Sequence, residues 1–573
     1  RLRPEDILLT DGAPSDMPLV AGIITLSPSS PNSHTAILSQ SFGTPFVYLP
    51  EAEEQARVLG LAGRKVILRA AASHGTAQIK VLDVEGQLDP ASEAQLLALK
   101  VPAPINYLPK QSYGAFWANT DGLVPTDIRY FGGKAANYGF LRRAIPSNCP
   151  VAIAFSFDLW DAFMDQTLPG GATLRAEIGS RLAPYTNYPP DIVSLKTNLA
   201  GIRNLFTKTA KFTGPQQQAI TNALVGWFNP LRKIRFRSST NVEDAEQFTG
   251  AGLYDSYSGC LLDDMDGDTA GPSHCDPDEA NERGVFRALQ KVYASFYNDD
   301  AYLERLMHRV NESEVAMGVL VHHSFPDEEE LANGVATPVF TFTAYSTNAT
   351  GDLVTQRGAV SVTNPDGTSV PEIVSGTRYS AASYRLTLKQ YSSLVPLGDY
   401  VMDWQADYCG FLELFTRVGC AFRQFYPSKN GFCLDFEYKK DLYQGLVVKQ
   451  VRELPQSGST NSVTAFLVDE PVAYSVLQAE SSSVFANHRL KSLWNLHTTN
   501  IWLAATNLAG GIYTEGTCEY TDNNGVIQTL SGPLGGWPNA SVSPSGSTNY
   551  WTTGAAASRR SWRLETTLKT NAV

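Results

Sequence analysis

The sequence has no apolar run long enough to cross a bilayer, which predicts a chain without a membrane span. Nor does it have an excess of basic residues, because the formal net charge is −12. This acidic balance argues against a protein that binds nucleic acid through a general basic surface. The chain starts at Arg1 rather than at a methionine and shows no signal peptide, so we expect a processed or trimmed N-terminus.

Cysteine is scarce, with seven residues among 573, and none of them forms a C-x-x-C pair or a zinc-binding spacing. Cys260 and Cys275 bracket the acidic loop "CLLDDMDGDTAGPSHC". We expect idle thiols at these positions, with a disulfide that closes the loop as the alternative.

The same acidic insertion, residues 260–283, carries Asp264, Asp266 and Asp268 at alternate positions, which is the spacing of a calcium-binding loop. No glutamate stands at the twelfth position, where such a loop needs one. We therefore expect a solvated insertion, with Ca²⁺ at residues 263–268 as the alternative.

Changes of composition divide this long chain into four segments. Residues 1–95 alternate short apolar runs with turn residues, which predicts a small unit of strands with a helix. Residues 96–126 are rich in proline and predict a linker. Residues 127–455 read as mixed α/β, and residues 456–573 as an all-β, sandwich-like module. The expected fold is a multidomain α+β protein.

A glycine pair precedes a predicted helix in the stretch "YFGGKAANYGFL". Gly132 and Gly133 leave room for the backbone to approach a phosphate, and Lys134 starts the helix. A plain turn before a helix has the same pattern, so this stretch does not identify a site by itself.

A second stretch, "IRFRSSTNVEDAEQFTGAGLYDS", predicts a strand that ends in Arg237 before a glycine-rich turn. The planar guanidinium suits a terminal phosphate, and Gly250 and Gly252 would let backbone amides close over it. An exposed arginine at a strand end is the alternative.

A third stretch, "FCLDFEYKKDLYQGLVVKQVREL", places Asp435 and Glu437 on one face of a strand. Two neighbouring carboxylates need a cation, and oxygen ligands suit Mg²⁺ bound with nucleotide phosphates. Gln450 and Arg452 repeat the spacing on the next strand, and would present an amide and a guanidinium to the same site. Cross-strand salt bridges are the alternative.

In this order, the three stretches resemble the ATP-grasp domain of the dikinase superfamily. That superfamily includes pyruvate phosphate dikinase, phosphoenolpyruvate synthase, rifampicin phosphotransferase and the glucan, water dikinases, and "RSSTNVEDAEQFTGAGLYDS" is most similar to the last of these. The resemblance covers residues 127–455. It implies that ATP phosphates bind at Lys134, Arg237, Gly250, Gly252, Gln450 and Arg452, with Arg237 and Arg452 also catalytic. It further implies that Asp435 and Glu437 bind Mg²⁺.

The stretch "SHTAILSQSFGTPFVYL" resembles the phosphohistidine domain of the same superfamily, whose pattern is roughly [ST]-H-x-A-I-x-x-R-x-x-G-x-P. By this resemblance, residues 1–95 form a swivelling β/β/α domain, and His34 accepts a phosphoryl group at a helix N-terminus. Two features depart from the pattern. The run directly ahead of His34 is Ser29-Ser30-Pro31-Asn32, where the family usually has glycines, and Ser39 or Gln40 stands where an arginine is expected.

The resemblance implies an ATP-dependent dikinase-type phosphotransferase, in which the β-phosphate of ATP passes through His34 to an acceptor. We expect that acceptor to be a glucan or another small molecule; the aromatic residues of the β-rich tail would stack on sugars or fill a plain sandwich core. The alternative is a non-catalytic, exported structural or binding protein on an inherited dikinase scaffold. Dependence on ATP favours the cytoplasm, whereas a Cys260–Cys275 disulfide favours an extracytoplasmic location and this alternative.

Overall fold

The computed structural model describes most of the chain up to residue 454, and only short strands beyond it. The described ranges are 5–12, 20–26, 39, 44–73, 76–98, 104–188, 190–243, 253–268, 270–342, 347–362, 369–380 and 382–454, followed by the six strands given below. The chain divides into two compact units, Arg1–Gly458 and Ser459–Val573.

The first unit begins with a small parallel sheet and a hairpin. The sheet is formed by β1 (Ile7–Thr10), β2 (Gly22–Thr25) and β3 (Phe46–Tyr48). The hairpin and two helices follow as α1 (Ala52–Leu59), β4 (Val66–Ser73), β5 (Thr76–Asp83) and α2 (Pro90–Ala98). Ile24, Val47 and Val58 are buried against one another in a small core. The predicted strands and the predicted helix are present, whereas His34 lies outside the described residues.

The second half of the expected linker is part of the fold. Ile105 is buried, and the backbone N–H of Lys110 donates to the carbonyl of Glu314 at 2.7 Å. Strand β6 (Trp117–Asn119) then pairs with the next strand of a larger sheet. The prediction of a linker over 96–126 is therefore wrong from residue 104 onward, because apolar residues of this segment pack into the core that follows.

A five-stranded antiparallel sheet comes next, in the order β6-β7-β10-β8-β9. Its other strands are β7 (Ala152–Phe155), β8 (Ile234–Thr240), β9 (Ser256–Gly259) and β10 (Met317–His323). Its helices are α3 (Ile128–Phe131), α4 (Gly133–Ala144), α5 (Phe157–Met164), α6 (Leu174–Leu182), α7 (Ile192–Asn204), α8 (Gly214–Trp227), α9 (Val285–Ser295) and α10 (Asp299–Met307). One face of the sheet packs on α5 to α10 around Trp160 and Phe236.

Residues 284–310 contain two helices that are separated by a short break. Helix α9 ends at Ser295 and α10 begins after Asn298, whose backbone is extended at φ −61° and ψ 149°. The Asn298 side chain donates to the carbonyl of Leu253 at 3.1 Å, and acidic residues fill the first turn of α10. Asn298, whose side chain is hydrogen-bonded to a neighbouring segment, thus lies between the end of α9 and the start of α10.

A seven-stranded antiparallel sheet completes the first unit. Its strands are β11 (Glu330–Ala336), β12 (Val339–Phe342), β13 (Thr347–Arg357), β14 (Glu372–Ser380), β15 (Ser383–Gln390), β16 (Gly431–Asp441) and β17 (Gly445–Leu454). Helix α11 (Ala406–Phe425) covers one face, where Phe411 and Phe415 pack against Phe436 and Tyr438. The same core includes Leu320 of the five-stranded sheet, so the two sheets share a buried interior.

The second unit is described only as strands. β18 (Arg489–Lys491), β19 (Gly516–Thr521), β20 (Ile527–Gly532) and β23 (Arg563–Glu565) form a sheet in the order β20-β19-β18-β23, and β21 (Ser541–Val542) pairs with β22 (Trp551–Thr552). Trp494, one of the aromatic residues expected to contact a sugar or fill a core, lies outside the described residues. No helix in the described chain combines the length and apolarity needed to cross a membrane.

Candidate functional site

The N-terminus of helix α4 lies against strand β8. Gly132 directly before the helix has a positive φ of 83°, and a Cβ at this position would lie 2.2 Å from the carbonyl oxygen of Ser239. Only glycine tolerates both that backbone conformation and that approach. The Ser239 hydroxyl accepts a hydrogen bond from the backbone N–H of Ala135 at 3.0 Å, which satisfies one of the free donors of the first helical turn.

Lys134 points from this helix start toward the end of β8, where it is paired. Its ammonium group lies 2.8 Å from Glu243 Oε1 and donates to the Ser238 hydroxyl at 3.2 Å. Glu243 is itself buried, and its second oxygen accepts the backbone N–H of Thr240 at 2.9 Å. Glu243 follows β8 in the sequence, but the sequence did not indicate that it would pair with Lys134.

Arg237 is buried in β8 rather than exposed at a strand end. The strand continues through Thr240, because its last residues pair with β10. The guanidinium crosses to the seven-stranded sheet, where it donates to Glu437 Oε2 at 2.9 Å, to the carbonyl of Lys449 at 2.8 Å and to the side-chain oxygen of Gln450. We call this place the sheet junction: Arg237 of one sheet with Glu437, Lys449 and Gln450 of the other.

The four polar residues predicted on β16 and β17 lie in directly opposed pairs. Asp435 faces Arg452, and Glu437 faces Gln450. Arg452 contacts one oxygen of Asp435, Oδ2, through Nε at 2.8 Å and through Nη2 at 2.7 Å. For Asp435 and Arg452 the cross-strand salt bridge, which was the alternative interpretation, is therefore present.

A β-bulge brings Lys449 into the site, a residue that the sequence did not indicate. Gln450 faces Glu437 and Val448 faces Tyr438, so Lys449 is an extra residue on β17. Its carbonyl accepts from Arg237, and its ammonium group lies 3.2 Å from Glu437 Oε2. Strict alternation from Gln450 would have placed this side chain on the other face of the sheet.

Burial and charge act on these groups in opposite directions. Burial disfavours ionised Glu437, but the charges of Lys449, Arg237 and Lys134 hold its pKa well below the usual range. Burial raises the pKa of Asp435 despite the neighbouring Arg452. Burial also lowers the pKa of Lys449 to about 8, against the attraction of Glu437. The site therefore holds an ionised glutamate beside a lysine that titrates close to neutral pH.

Among the described side chains named so far around the sheet junction, cations outnumber carboxylates. Arg235 lies on the same face of β8 as Arg237; its hydrogen bond goes to the Ser258 hydroxyl at 3.3 Å, and no carboxylate of the described chain lies within ion-pair distance of it. With Arg235, the side chains given above comprise five cations, Lys134, Arg235, Arg237, Lys449 and Arg452, against three carboxylates, Glu243, Asp435 and Glu437. Such an excess in a partly buried place favours an anionic ligand.

The two carboxylates expected to bind Mg²⁺ retain coordinating capacity. The contacts of Arg452 fall on Asp435 Oδ2, and those of Arg237 and Lys449 fall on Glu437 Oε2. Within the described part of the chain, no donor lies within hydrogen-bonding distance of Asp435 Oδ1 or Glu437 Oε1. Two oxygens on one face of a strand are thus available, and hard oxygen ligands are those that Mg²⁺ prefers.

Two further predicted residues, Gly250 and Gly252 of the glycine-rich turn, lie outside the described residues. His34, the expected phosphoryl acceptor, does so as well. The structure therefore brings together Lys134, Arg237, Asp435, Glu437, Gln450 and Arg452 of the predicted site residues.

The acidic insertion is closed by a disulfide between Cys260 and Cys275, with a Cα–Cα distance of 5.7 Å. The expectation of idle thiols at these two positions is therefore wrong. Cys260 is buried and its backbone N–H donates to the carbonyl of Arg283 at 2.8 Å, so the two ends of the insertion lie next to each other.

The predicted calcium set is also wrong in one member. Asp264 turns inward, where it accepts the backbone N–H of Phe286 at 3.1 Å at the start of α9, and burial raises its pKa to about 6. Asp266 and Asp268 instead lie near Glu282, with one oxygen of each within 4.8 Å of the others. Two of these three residues are exposed, as expected for a solvated insertion, and Ca²⁺ gains no support.

Comparison with known proteins identifies part of this unit. Residues 128–370 match the family model described as Pyruvate phosphate dikinase, AMP/ATP-binding domain. A search of the curated proteins finds no match. The family match supports a relationship to the dikinase superfamily and an ATP-binding domain of the dikinase type. It includes Lys134, Arg235 and Arg237 and ends before β16 and β17.

Proposed function

We propose that the sheet junction is an ATP site of ATP-grasp type and that the protein is a dikinase-type phosphotransferase. The observation that carries this proposal is the contact of Arg237 with Glu437 and Gln450, which joins an arginine inside the matched segment to a carboxylate and an amide outside it. The surplus of cations at the same place supports binding of a polyphosphate.

In this proposal, the chain's own residues position the nucleotide and neutralise its charge, which is most of what phosphoryl transfer requires. Lys134 and Arg237 contact the phosphates, with Gln450 and Arg452 at the same end of the site. Asp435 and Glu437 hold Mg²⁺, whose chemical contribution is to neutralise phosphate charge. Glu437 suits this role because its depressed pKa keeps it ionised at neutral pH.

The second part of the proposal is a histidine relay. An imidazole nitrogen of His34 bonds to the β-phosphorus of ATP as the bond between that phosphorus and AMP breaks, and the γ-phosphoryl group goes to water, so that AMP and phosphate are released overall. His34 then passes its phosphoryl group to a small-molecule or carbohydrate acceptor. The sequence Ser33-His34-Thr35 and its resemblance to phosphohistidine domains support this step. Residues 1–95 would carry the histidine between the two substrates as a swivelling domain.

Mass analysis of the intact protein and its peptides tests the proposal. The full chain is incubated with Mg²⁺ and ATP at mildly alkaline pH, where phosphohistidine survives. We expect one acid-labile phosphoryl group on the peptide that holds His34, absent from His34→Ala and from Glu437→Ala. If ATP binds but no phosphoryl group appears, the relay is wrong and the nucleotide site has another role.

A second candidate function is favoured by the Cys260–Cys275 disulfide. Disulfides persist mainly in oxidising compartments, where ATP is scarce, so the bridge fits an exported, non-catalytic binding or structural protein on a dikinase scaffold. This candidate predicts no ATP binding by the oxidised protein. Isothermal titration of the oxidised full chain with Mg²⁺ and ATP distinguishes the two, because only the phosphotransferase gives a binding signal.

A further inference from the structure

His322 lies on the face of the five-stranded sheet that carries the sheet junction. In the ladder between β10 and β8, His322 is directly opposite Arg235, and Leu320 is opposite Arg237. Opposed residues of an antiparallel pair point to the same face, and residues two apart on a strand share it. His322 therefore faces the seven-stranded sheet, as Leu320 does in the core that the two sheets share.

One nitrogen of this imidazole has a partner and the other has none. His322 is only 2 % exposed, and its Nδ1 lies 2.7 Å from the carbonyl oxygen of His323. Because a carbonyl can only accept, Nδ1 carries the proton and Nε2 keeps a lone pair. Within the described residues, Nε2 has no hydrogen-bonding partner. A buried acceptor without a donor is costly, so its donor is expected to come from a ligand.

The surroundings keep Nε2 an acceptor. Burial, together with the positive charges of Arg237, Arg235 and Lys449, lowers the pKa of His322 to about 3. The imidazole is therefore neutral at physiological pH and does not bind phosphate as a cation. Phosphate oxygens are mostly deprotonated near neutral pH, so they are poor donors to Nε2.

We propose that His322 Nε2 accepts a hydrogen bond from an N–H or O–H group of the nucleoside part of ATP and so selects the nucleotide. This inference rests on the proposed ATP site. Arg235 and His322 lie two residues along the strands from Arg237, which is about 7 Å at the usual rise of a strand. A nucleotide that lies along β8, with its phosphates at Arg237 and its nucleoside directed away from Lys134, therefore places the nucleoside next to Arg235 and His322.

The available donors are the exocyclic amino group of adenine and the ribose hydroxyls, and analogues that lack one donor each tell them apart. The dissociation constant of the oxidised full chain is measured for ATP, purine riboside triphosphate, 2′-deoxy-ATP and 3′-deoxy-ATP. We expect one analogue to bind about tenfold more weakly than ATP, because it leaves Nε2 without a partner. The analogue that is penalised identifies the donor.

Substitution at His322 tests whether this residue causes the difference. His322→Phe keeps a buried ring but removes the acceptor, so ATP and the penalised analogue should bind equally. His322→Gln, which retains an acceptor oxygen, should recover part of the difference. Inorganic tripolyphosphate, which has no nucleoside, should bind wild type and His322→Phe alike.

His323→Phe is the matched control, because His323 lies on the opposite face of β10, packs on Phe228 and already accepts the N–H of Asn229 at 3.1 Å. It should leave the analogue series unchanged. If wild type binds ATP but treats all four nucleotides alike within about twofold, the inference is wrong and the ATP site stands. If the His322→Phe variant does not fold, the dissociation constants of wild type for the four nucleotides still test the inference. Absence of any ATP binding would overturn the ATP site and the inference together.

Discussion

Arg237 and Glu437 form an ion pair of 2.9 Å although 200 residues of chain separate them. The arginine belongs to the five-stranded sheet and the glutamate to the seven-stranded sheet, so this pair ties the two sheets at the proposed nucleotide site. Both partners keep further contacts, Arg237 with Gln450 and Glu437 with Lys449. A phosphate that binds Arg237 would therefore contact a guanidinium that is also paired with Glu437.

Arg237→Ala should weaken ATP binding by about 10- to 100-fold, since hydrogen bonds to charged groups contribute about 1.5–3 kcal/mol. Isothermal titration of the full chain measures the change. Arg378→Ala is a matched control, because the Arg378–Glu413 pair has nearly the same side-chain exposure, 10 % and 29 % against 9 % and 24 %, outside the sheet junction. Equal losses of ATP affinity in the two variants would contradict a phosphate role for Arg237.

Glu437→Gln should remove most of the gain in ATP affinity that Mg²⁺ provides, because an amide oxygen is a weaker ligand than a carboxylate. In the absence of Mg²⁺ the same variant should bind tripolyphosphate more tightly than wild type, since one negative charge is lost from the cluster. Titrations with and without Mg²⁺ give both values, with Glu413→Gln as control. An unchanged Mg²⁺ effect would argue that Glu437 is only a structural partner of Arg237.

ATP affinity should fall as the pH rises through about 8. In the free protein, burial lowers the pKa of Lys449 from 10.5 to about 8, so the side chain is charged below that pH and neutral above it. A bound anion favours the charged form and raises this pKa, so binding takes up a proton. Titration calorimetry in buffers of different ionisation enthalpy measures the uptake. Lys449→Arg should show no uptake near pH 8; uptake that persists would assign the proton to another group.

Gly132→Ala should lower the free energy of unfolding more than Gly171→Ala does. Both glycines have positive φ, 83° and 88°, but a Cβ at Gly132 meets the carbonyl of Ser239 whereas the space at Gly171 is open. The positive φ costs about 1–2 kcal/mol at either position, and the clash adds about 1–3 kcal/mol at Gly132. Urea denaturation measures the free energy of unfolding of both variants. Equal decreases would show that the start of α4 shifts to accommodate the added methyl group.

Removing the disulfide by Cys260→Ser with Cys275→Ser should lower the free energy of unfolding by about 3 kcal/mol, the value expected for a closed loop of this length. Wild type under a thiol reductant should match the double variant in denaturant titrations. If reductant leaves wild-type stability unchanged, the bridge does not form in solution and the exported alternative loses its support.

Local pattern predicted much of the first unit. The strands β8, β16 and β17 and the start of helix α4 lie where alternation and the glycine pair indicated. Predictions from local sequence pattern were wrong where contacts between residues far apart in the chain determine the structure. Arg237 is buried within a strand because β8 pairs with β10 beyond it, and the expected linker is folded because apolar residues such as Ile105 find a core.

By itself, the sequence determined which polar residues share a strand face, because side chains alternate with a period of two, as for Asp435 and Glu437. Only the tertiary structure decided which faces meet. The register of β16 with β17 sets Asp435 against Arg452, a single bulge brings Lys449 into the site, and the ladder between β10 and β8 places His322 opposite Arg235. The physical reason is that strand register and sheet packing depend on contacts between residues far apart in the chain, which no local pattern contains.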